Sequence, residues 1–130
     1  MKTMKYFFSF TIILVLLSIW TISFSGIRKI ASNIWKGTAS YYNPKFNGRK
    51  TATGEIFNND KLTAAKNFLS LGTRVKITNS RNGKSVIVKI NDRMHAANKR
   101  LIDLSQAAAQ QIGLINQGIG EVTLEPITTE

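Results

Sequence analysis

The sequence predicts a mainly β domain, a small barrel with one short helix, behind an apolar N-terminal segment. Three observations support this fold class. Two neighbouring segments alternate between apolar and polar residues on either side of an Asn-Gly pair, as in a β-hairpin. Further short apolar segments are separated by turn residues, which favours a barrel or a sandwich. The length of 130 residues and the 43% share of hydrophobic residues are typical of one globular domain.

The first element is an uncharged apolar segment that follows two lysines. Lys2 and Lys5 precede the segment Tyr6 to Gly26, which is rich in Ile, Leu, Val and Phe and ends on Ser23-Phe24-Ser25. A basic start, an apolar stretch and a small-x-small end form a secretory signal. About 20 apolar residues are also enough to span a bilayer. We therefore expect residues 1–25 to be either a cleaved signal peptide or an uncleaved membrane anchor.

Four regions are predicted along the chain. After residues 1–25, residues 26–34 form a linker, residues 35–127 form the barrel domain, and residues 128–130 form a tail. We expect no internal repeat and no second module. Either interpretation of the N-terminal segment carries the domain out of the cytoplasm, to the periplasm or cell envelope, with membrane contact only through residues 1–25 if they are retained.

Five segments of the domain are predicted to be strands. They are Thr38 to Tyr42, Arg74 to Asn79, Ser85 to Asn91, Leu101 to Leu104 and Gly118 to Glu125. The second and third form the hairpin, since Asn82-Gly83 between them is a strong two-residue turn signal. A helix from Gln106 to Ile112 follows Ser105, a favoured N-cap residue. Gly113 can end this helix in the left-handed conformation.

Composition excludes several classes of function. The chain has no Cys and one His, so a disulfide framework, a thiolate metal site, a lipid-bearing Cys and a multi-histidine metal site are excluded. No glycine-rich loop has the spacing of a phosphate cofactor site, and we expect no cofactor. The net charge is +11, which favours a polyanionic partner such as cell wall or anionic lipid. Export makes nucleic acid the least expected partner.

The remaining chemistry is that of carboxylates with polar helpers, as in glycosidic bond cleavage. Glu55 follows a Thr-Ala-Thr-Gly loop, and Asp92 ends a strand next to Arg93. Asp103 precedes the predicted helix by two residues, and we expect it to stabilise the N-terminus of that helix. The other acids lie in a turn, on solvated strand faces or at the C-terminus. Spacing alone therefore selects Glu55 and Asp92.

Several blocks of the sequence resemble one known family. The blocks are Gly37-Thr-Ala-Ser-Tyr-Tyr42, Phe46-Asn-Gly-Arg-Lys-Thr-Ala-Thr-Gly-Glu55, Leu62-Thr-Ala-Ala65, Leu71 to Asn79, Asn82 to Arg93, Arg100 to Ala109 and Gly118 to Glu125. In this order they resemble the rare lipoprotein A family over nearly all of the exported domain. The resemblance implies a six-stranded double-psi β-barrel. It also implies an exported lytic transglycosylase, which cuts peptidoglycan glycan strands during cell-wall remodelling and leaves 1,6-anhydro-muramic acid ends.

The resemblance also implies the residues of the site. Glu55 and Asp92 take the positions of the family's catalytic acids. Apart from the resemblance, we expect Tyr42, Lys66 and Arg93 to bind substrate, Lys66 through a sugar carboxylate or a leaving oxygen. For Asp92 a structural role stays open, because an Asp at a strand end can accept backbone N–H bonds and hold a loop.

The pair Tyr41-Tyr42 could provide a sugar-stacking platform. Successive residues of a strand point to opposite faces, so one of the two rings is expected to face the core and at most one is available to a sugar.

Two positions depart from the family pattern. The family's Thr-Ala-Ala-His is here Thr63-Ala-Ala-Lys66, and its Gly-Pro after Asp92-Arg93 is here Met94-His95. We expect Lys66 to place a fixed positive charge near the catalytic acid and to lower its pKa, which slows proton donation. His95 could return an imidazole to the site. The departures leave an alternative function open, a glycan-binding barrel of the cell envelope that cleaves weakly or not at all. A membrane-anchored structural protein is a third possibility.

Overall fold

A computed structural model describes residues 33–127, so the predicted signal or anchor, most of the linker and the tail lie outside the described residues. The strands are β1 (Trp35–Tyr41), β2 (Thr63–Ala65), β3 (Arg74–Asn79), β4 (Ser85–Asp92), β5 (Ile102–Leu104) and β6 (Gly120–Pro126). The one α-helix of this region is α1 (Gln106–Gln111), and Pro44–Phe46 forms a short 3₁₀ helix. Within residues 33–127 no helix has the length and apolar character that a membrane span needs.

The six strands close into a barrel in the order β1-β5-β2-β4-β3-β6, with β6 returning to β1. The pairs β1–β5 and β2–β4 are parallel, and the other four pairs are antiparallel. Closure gives every strand two neighbours, so that no unpaired sheet edge is left. The predicted fold class, a six-stranded double-psi β-barrel with one short helix, is confirmed.

The alternation of β3 and β4 fills the inside of the barrel. The inward side chains of the two strands are all buried, namely Val75, Ile77, Val86, Val88 and Ile90. Gly83 in the connecting turn has φ +73°, a backbone conformation that glycine adopts without steric cost. The predicted hairpin is therefore confirmed, and β3 covers the predicted residues.

Other element ends differ from the prediction. β1 begins three residues earlier than expected because Trp35 to Gly37 also pair with β6. β6 begins at Gly120, two residues later than predicted. The sequence pattern does not indicate β2, because its three residues are all buried and too few to show alternation.

Helix α1 closes one side of the barrel. Ala108 and Ala109 pack into the core, and Ser105 Oγ accepts the Ala108 N–H at 3.3 Å, which confirms the predicted N-cap. Gly113 follows the helix with φ +70°, as predicted. All buried apolar side chains of residues 33–127 lie between Ala39 and Leu124, so this part of the chain encloses its own core.

Two isoleucines on β4 test the assignment of its faces. Ile90 is fully buried and Ile87 is 49% exposed. Ile90→Ala is expected to lower the free energy of unfolding by about 2–5 kcal/mol, since it leaves a cavity. Ile87→Ala, the matched control, is expected to cost no more than about 1 kcal/mol, the span of β-propensity. Chemical denaturation of residues 26–130 measures both values. Equal losses would contradict the assignment.

Candidate active site

Asp92 reaches the barrel surface because a β-bulge precedes it. Ala64 pairs with Ile90 and Ala65 pairs with Asp92, so Asn91 is an extra residue in β4. A bulge bends its strand and redirects the side chains that follow. Asn91 is therefore buried, whereas Asp92 is half-buried and lines a cavity at the end of β4.

The Asp92 carboxylate accepts three hydrogen bonds. Its Oδ1 accepts the N–H of Ala52 at 3.0 Å and the N–H of Arg93 at 2.8 Å. Its Oδ2 accepts the Tyr42 hydroxyl at 2.8 Å. The bond to Ala52 holds the loop of residues 51–55, which carries Glu55. Asp92 therefore has the structural role that the sequence left open, and it has this role while it lines the cavity.

The two tyrosines at the end of β1 have different surroundings. The Tyr42 ring packs edge-on against Phe57, with centroids 4.5 Å apart and planes at 84°. Burial, and then the bond to Asp92, raise the pKa of Tyr42 well above its ordinary value of 10, so its hydroxyl stays a donor. Tyr41 packs against the core, as alternation predicts for one of the pair, and donates to the Ile115 carbonyl at 3.1 Å. Both rings line the cavity.

Glu55 is exposed and forms an ion pair. Its Oε1 accepts a hydrogen bond from Lys89 Nζ at 2.9 Å and another from Thr53 Oγ1 at 3.1 Å. The hydrogen bond from Lys89, followed by that from Thr53, lowers the pKa of Glu55 below its ordinary value of 4.5. Glu55 is not among the residues that line the cavity with Asp92. The loop of residues 51–55 connects the two acids, which do not share one cavity wall.

The cation in contact with Glu55 is Lys89, and the expected effect of Lys66 on the catalytic acid stays a prediction. Lys66 Nζ instead donates to the Leu101 carbonyl at 3.2 Å and lies 5.7 Å from the centroid of the Trp35 ring. Burial lowers the pKa of Lys66. The alternation of apolar and polar residues along β4 could have shown that Lys89 points out of the barrel. No sequence pattern shows that the loop of residues 51–55 lies against that face.

Arg93 and His95 line the cavity and also hold its loops. Arg93 Nη1 donates to the carbonyl of Lys66 at 2.6 Å and to that of Leu69. His95 Nδ1 accepts the N–H of Ala97 at 3.1 Å. The imidazole that could return to the site thus uses one of its two nitrogens within its own loop.

A second carboxylate in the cavity wall belongs to Asp103, which sequence reasoning assigned to the helix N-terminus. That assignment is wrong, because both carboxylate oxygens bind donors in the wall. Oδ1 accepts Ser40 Oγ and Arg100 Nε, each at 2.8 Å. Oδ2 accepts Asn98 Nδ2 at 3.1 Å and Arg100 Nη2 at 3.3 Å. Arg100, three residues earlier, forms an ion pair with the Asp103 carboxylate, which was expected to stabilise the N-terminus of the helix.

Together these residues surround a cavity of about 580 Å³, a volume within the range of binding sites. The charged part of its wall contains four Lys and Arg side chains and two carboxylates, which are Arg49, Lys50, Arg93, Arg100, Asp92 and Asp103. This excess of positive charge favours anionic ligands. No three His, Cys, Asp or Glu side chains of residues 33–127 come together as a metal site would require.

Comparison with known sequences identifies relatives. The family model described as "Lytic transglycolase" matches residues 34–124. The chain is 51% identical over 96 residues to the endolytic peptidoglycan transglycosylase RlpA of Haemophilus influenzae, an alignment that covers 74% of this chain and 33% of that protein. It is 55% identical over 89 residues to the probable endolytic peptidoglycan transglycosylase RlpA of Synechocystis. That alignment covers 68% of this chain and 28% of that protein. The chain thus spans about a third of the length of these relatives.

Among solved structures, the Streptomyces papain inhibitor is similar to this chain. The TM-score is 0.61 and the sequence identity is 21%, with 75% of this chain and 96% of that chain covered. An identity this low shows a shared fold and nothing more. The matched barrel makes up nearly all of that chain.

Replacement of Lys89 tests the electrostatics of Glu55. Lys89→Met is expected to raise the pKa of Glu55 toward 4.5, because it removes the donor with the largest effect. An NMR titration of the Glu55 carboxyl group measures this shift. Lys76→Met, which removes an exposed lysine from the neighbouring strand β3, is the matched control and should leave the Glu55 pKa unchanged.

The ion pair of Glu55 and Lys89 also makes the stability of the fold depend on pH. The folded-state pKa of Glu55 is depressed, so the pair stabilises the fold above pH 4.5 and this contribution is lost as the pH falls through the folded-state pKa. Lys89→Met should therefore weaken the dependence of stability on pH below pH 4.5. A Glu55 titration midpoint that is the same in wild type and Lys89→Met would contradict the ion pair.

Proposed function

Since the chain belongs to the lytic transglycolase family, we propose that it cleaves the glycan strands of peptidoglycan and leaves 1,6-anhydro-muramic acid ends. The observation that carries this proposal is the environment of Asp92, a carboxylate in the wall of a basic cavity large enough for a sugar. The other carboxylate in that wall, Asp103, is only 8% exposed and forms an ion pair with Arg100. Asp92 is half-buried and accepts hydrogen bonds from neutral groups, so it is the acid that we propose meets a bound glycan.

In the proposed reaction Asp92 acts first as acid and then as base. The Asp92 carboxylic acid gives its proton to the glycosidic oxygen, and the bond from C1 to that oxygen breaks with its electron pair going to the oxygen. The C6 hydroxyl oxygen of the same muramic acid bonds to C1, and its proton passes to the Asp92 carboxylate. No water is consumed, and Asp92 regains its proton. Acid–base catalysis of this kind contributes about 10²–10⁴-fold to a rate.

Glu55 is proposed to stabilise positive charge on the sugar. Because Lys89 lowers its pKa, Glu55 is an anion near neutral pH and a poor proton donor there. An anion beside the ring stabilises the oxocarbenium-like transition state of glycosidic cleavage. The loop of residues 51–55 carries Glu55, and the bond from Ala52 to Asp92 keeps this loop beside the cavity.

Three further residues are proposed to hold the glycan. Tyr42 offers part of its ring to the sugar, while its hydroxyl orients Asp92 Oδ2. Arg93 lines the cavity and uses only Nη1 to hold the neighbouring loop, which leaves its other N–H groups for substrate. Lys66 donates one of its three ammonium N–H groups to the Leu101 carbonyl. The other two can bind a carboxylate of the substrate.

One observation favours a second candidate function, a barrel that binds glycan strands without cutting them efficiently. Lys89 forms an ion pair with Glu55, and Lys66 takes the position of the family's histidine. Proton donation in this chain then depends on Asp92, and the imidazole in the cavity wall, that of His95, uses its Nδ1 to accept the Ala97 N–H.

The proposed substrate also defines where the protein acts. Peptidoglycan lies in the cell envelope, so the domain has to leave the cytoplasm. Residues 1–25, as a signal peptide or as an anchor in the inner membrane, would provide this export.

The decisive experiment incubates residues 26–130 with peptidoglycan sacculi and with amidase-stripped glycan strands. Mass spectrometry then measures 1,6-anhydro-muramic acid ends. Asp92→Asn is expected to lower their formation by about 10²–10⁴-fold, the usual contribution of a general acid. Glu55→Gln is expected to slow it without changing the product. Asp60→Asn, at an exposed acid in a turn, is the matched control and should leave the rate unchanged.

Two outcomes would contradict this assignment. Asp92 holds a loop, so circular dichroism has to show first that Asp92→Asn is folded. Undiminished product formation by the folded variant would contradict the role of Asp92. Absence of products from the wild type, together with co-sedimentation with sacculi, would support the glycan-binding barrel instead. In that case a Lys66→His variant that gained activity would identify the missing imidazole as the cause.

A further inference from the structure

A cluster of apolar side chains lies exposed around the start of β1. Ile34, Trp35 and Phe68 are 49%, 41% and 102% exposed. With the half-buried Leu69 and Leu101 they line a groove of about 400 Å³. These five residues are called the apolar patch. Contiguous exposed apolar surface of this kind marks an interaction site more often than it marks a free surface.

Phe68 projects from the domain in an unfavourable backbone conformation. Its φ is +66°, and no other non-glycine residue among residues 33–127 has a positive φ. The left-handed conformation is costly for a bulky L-residue. The full exposure of the ring means that it adds nothing to the core. An aromatic ring held in solvent by a strained backbone indicates a binding role.

The charges around the patch are positive. Lys36 and Lys66 line the same groove, which has no carboxylate in its wall. Lys66 Nζ lies near the Trp35 ring. The one amide in the groove, Asn67, already uses its Oδ1 to accept the Met94 N–H at 3.1 Å. The groove therefore offers few acceptors to the hydroxyl groups of a sugar. Aromatic rings flanked by lysines are instead typical of surfaces that rest on anionic bilayers.

We propose that the apolar patch docks onto the surface of a bilayer that contains anionic phospholipid. Phe68 enters the boundary between head groups and acyl chains, and Lys36 contacts a lipid phosphate. This surface extends the membrane contact expected for residues 1–25 to the folded domain. It does not depend on cleavage of glycan by the protein.

The sequence before the domain supports a bilayer as the partner. Residues 27–32 separate the uncharged segment Tyr6 to Gly26 from Asn33, and Arg28 and Lys29 add two positive charges. Six residues span at most about 22 Å. An apolar segment retained in the bilayer would tether the domain to the membrane and raise its effective concentration there. After cleavage of the segment, the patch would bind lipid by itself.

A labelling experiment on the full chain tests the docking. Because the chain contains no Cys, Phe68→Cys can carry a single environment-sensitive fluorophore. Ile119→Cys is the matched control, since Ile119 is also exposed and precedes Gly120, which pairs with Ala39 away from the start of β1. Vesicles of phosphatidylglycerol and phosphatidylethanolamine carry a nitroxide quencher near the head groups. Quenching and a blue shift are expected at position 68 and not at position 119.

A second variant measures affinity without the apolar segment. For residues 26–130, which include the self-contained core, Phe68→Ser is expected to weaken binding to these vesicles about tenfold, because it removes one buried aromatic side chain. Ile119→Ser should have no effect. Removal of phosphatidylglycerol from the vesicles should weaken binding of the wild type.

Three results would overturn the proposal. The first is equal quenching at positions 68 and 119. The second is vesicle binding that is unaffected by Phe68→Ser. The third is protection of the label at position 68 by sacculi but not by vesicles, which would assign the patch to glycan instead.

Discussion

The carboxylate of Asp92 is the contact on which the candidate site depends. It joins three parts of the chain that are far apart in sequence, namely the end of β1 through Tyr42, the loop of residues 51–55 through Ala52, and its own strand end through Arg93. Without it the partly buried Tyr42 hydroxyl would lose its partner, which is costly. The exposed N–H groups of Ala52 and Arg93 would bind water instead, so that their segments would no longer be joined. The barrel explains why one side chain can do this. The register across β5 and β2 aligns Ser40 of β1 with Asp92 of β4, and the bulge at Asn91 precedes Asp92 at this point.

The two acids of the site differ because their surroundings differ. Asp92 lies among neutral donors in the wall of a cavity, whereas Glu55 lies in solvent against the ammonium group of Lys89. Pairs of carboxylates in unlike environments commonly divide the work of glycosidic cleavage, one as a proton carrier and one as a fixed anion. In the proposed reaction the ammonium group of Lys89 determines the role of Glu55, because a cation on a carboxylate favours its anionic form. Asp92 instead accepts hydrogen bonds from neutral N–H and O–H groups.

Local patterns in the sequence predict the parts of this fold that are held by local contacts. The hairpin of β3 and β4 follows from alternation and one Asn-Gly turn, and the N-cap of α1 follows from Ser105. Features created by pairing between distant segments have no such signal. β2 is a strand because β4 and β5 lie on either side of it, and the bulge before Asp92 exists only in the register with β2. For the same reason no local pattern shows the contact of Lys89 with Glu55, which lies 34 residues away in sequence. Asp103 differs, because its partner Arg100 is only three residues away and its bond to Ser40 alone comes from a distant strand.

The apolar patch and the cavity are neighbours, because one loop joins them. Arg93 lines the cavity, and its Nη1 donates to the carbonyls of Lys66 and Leu69 in the loop that carries Phe68. Met94 also lines the cavity, and its N–H donates to Asn67 Oδ1 in the same loop. A domain that rests on lipid through the patch would therefore hold its basic cavity beside the bilayer surface. The two proposals are coupled, since the segment that follows Asp92 holds the loop that presents Phe68.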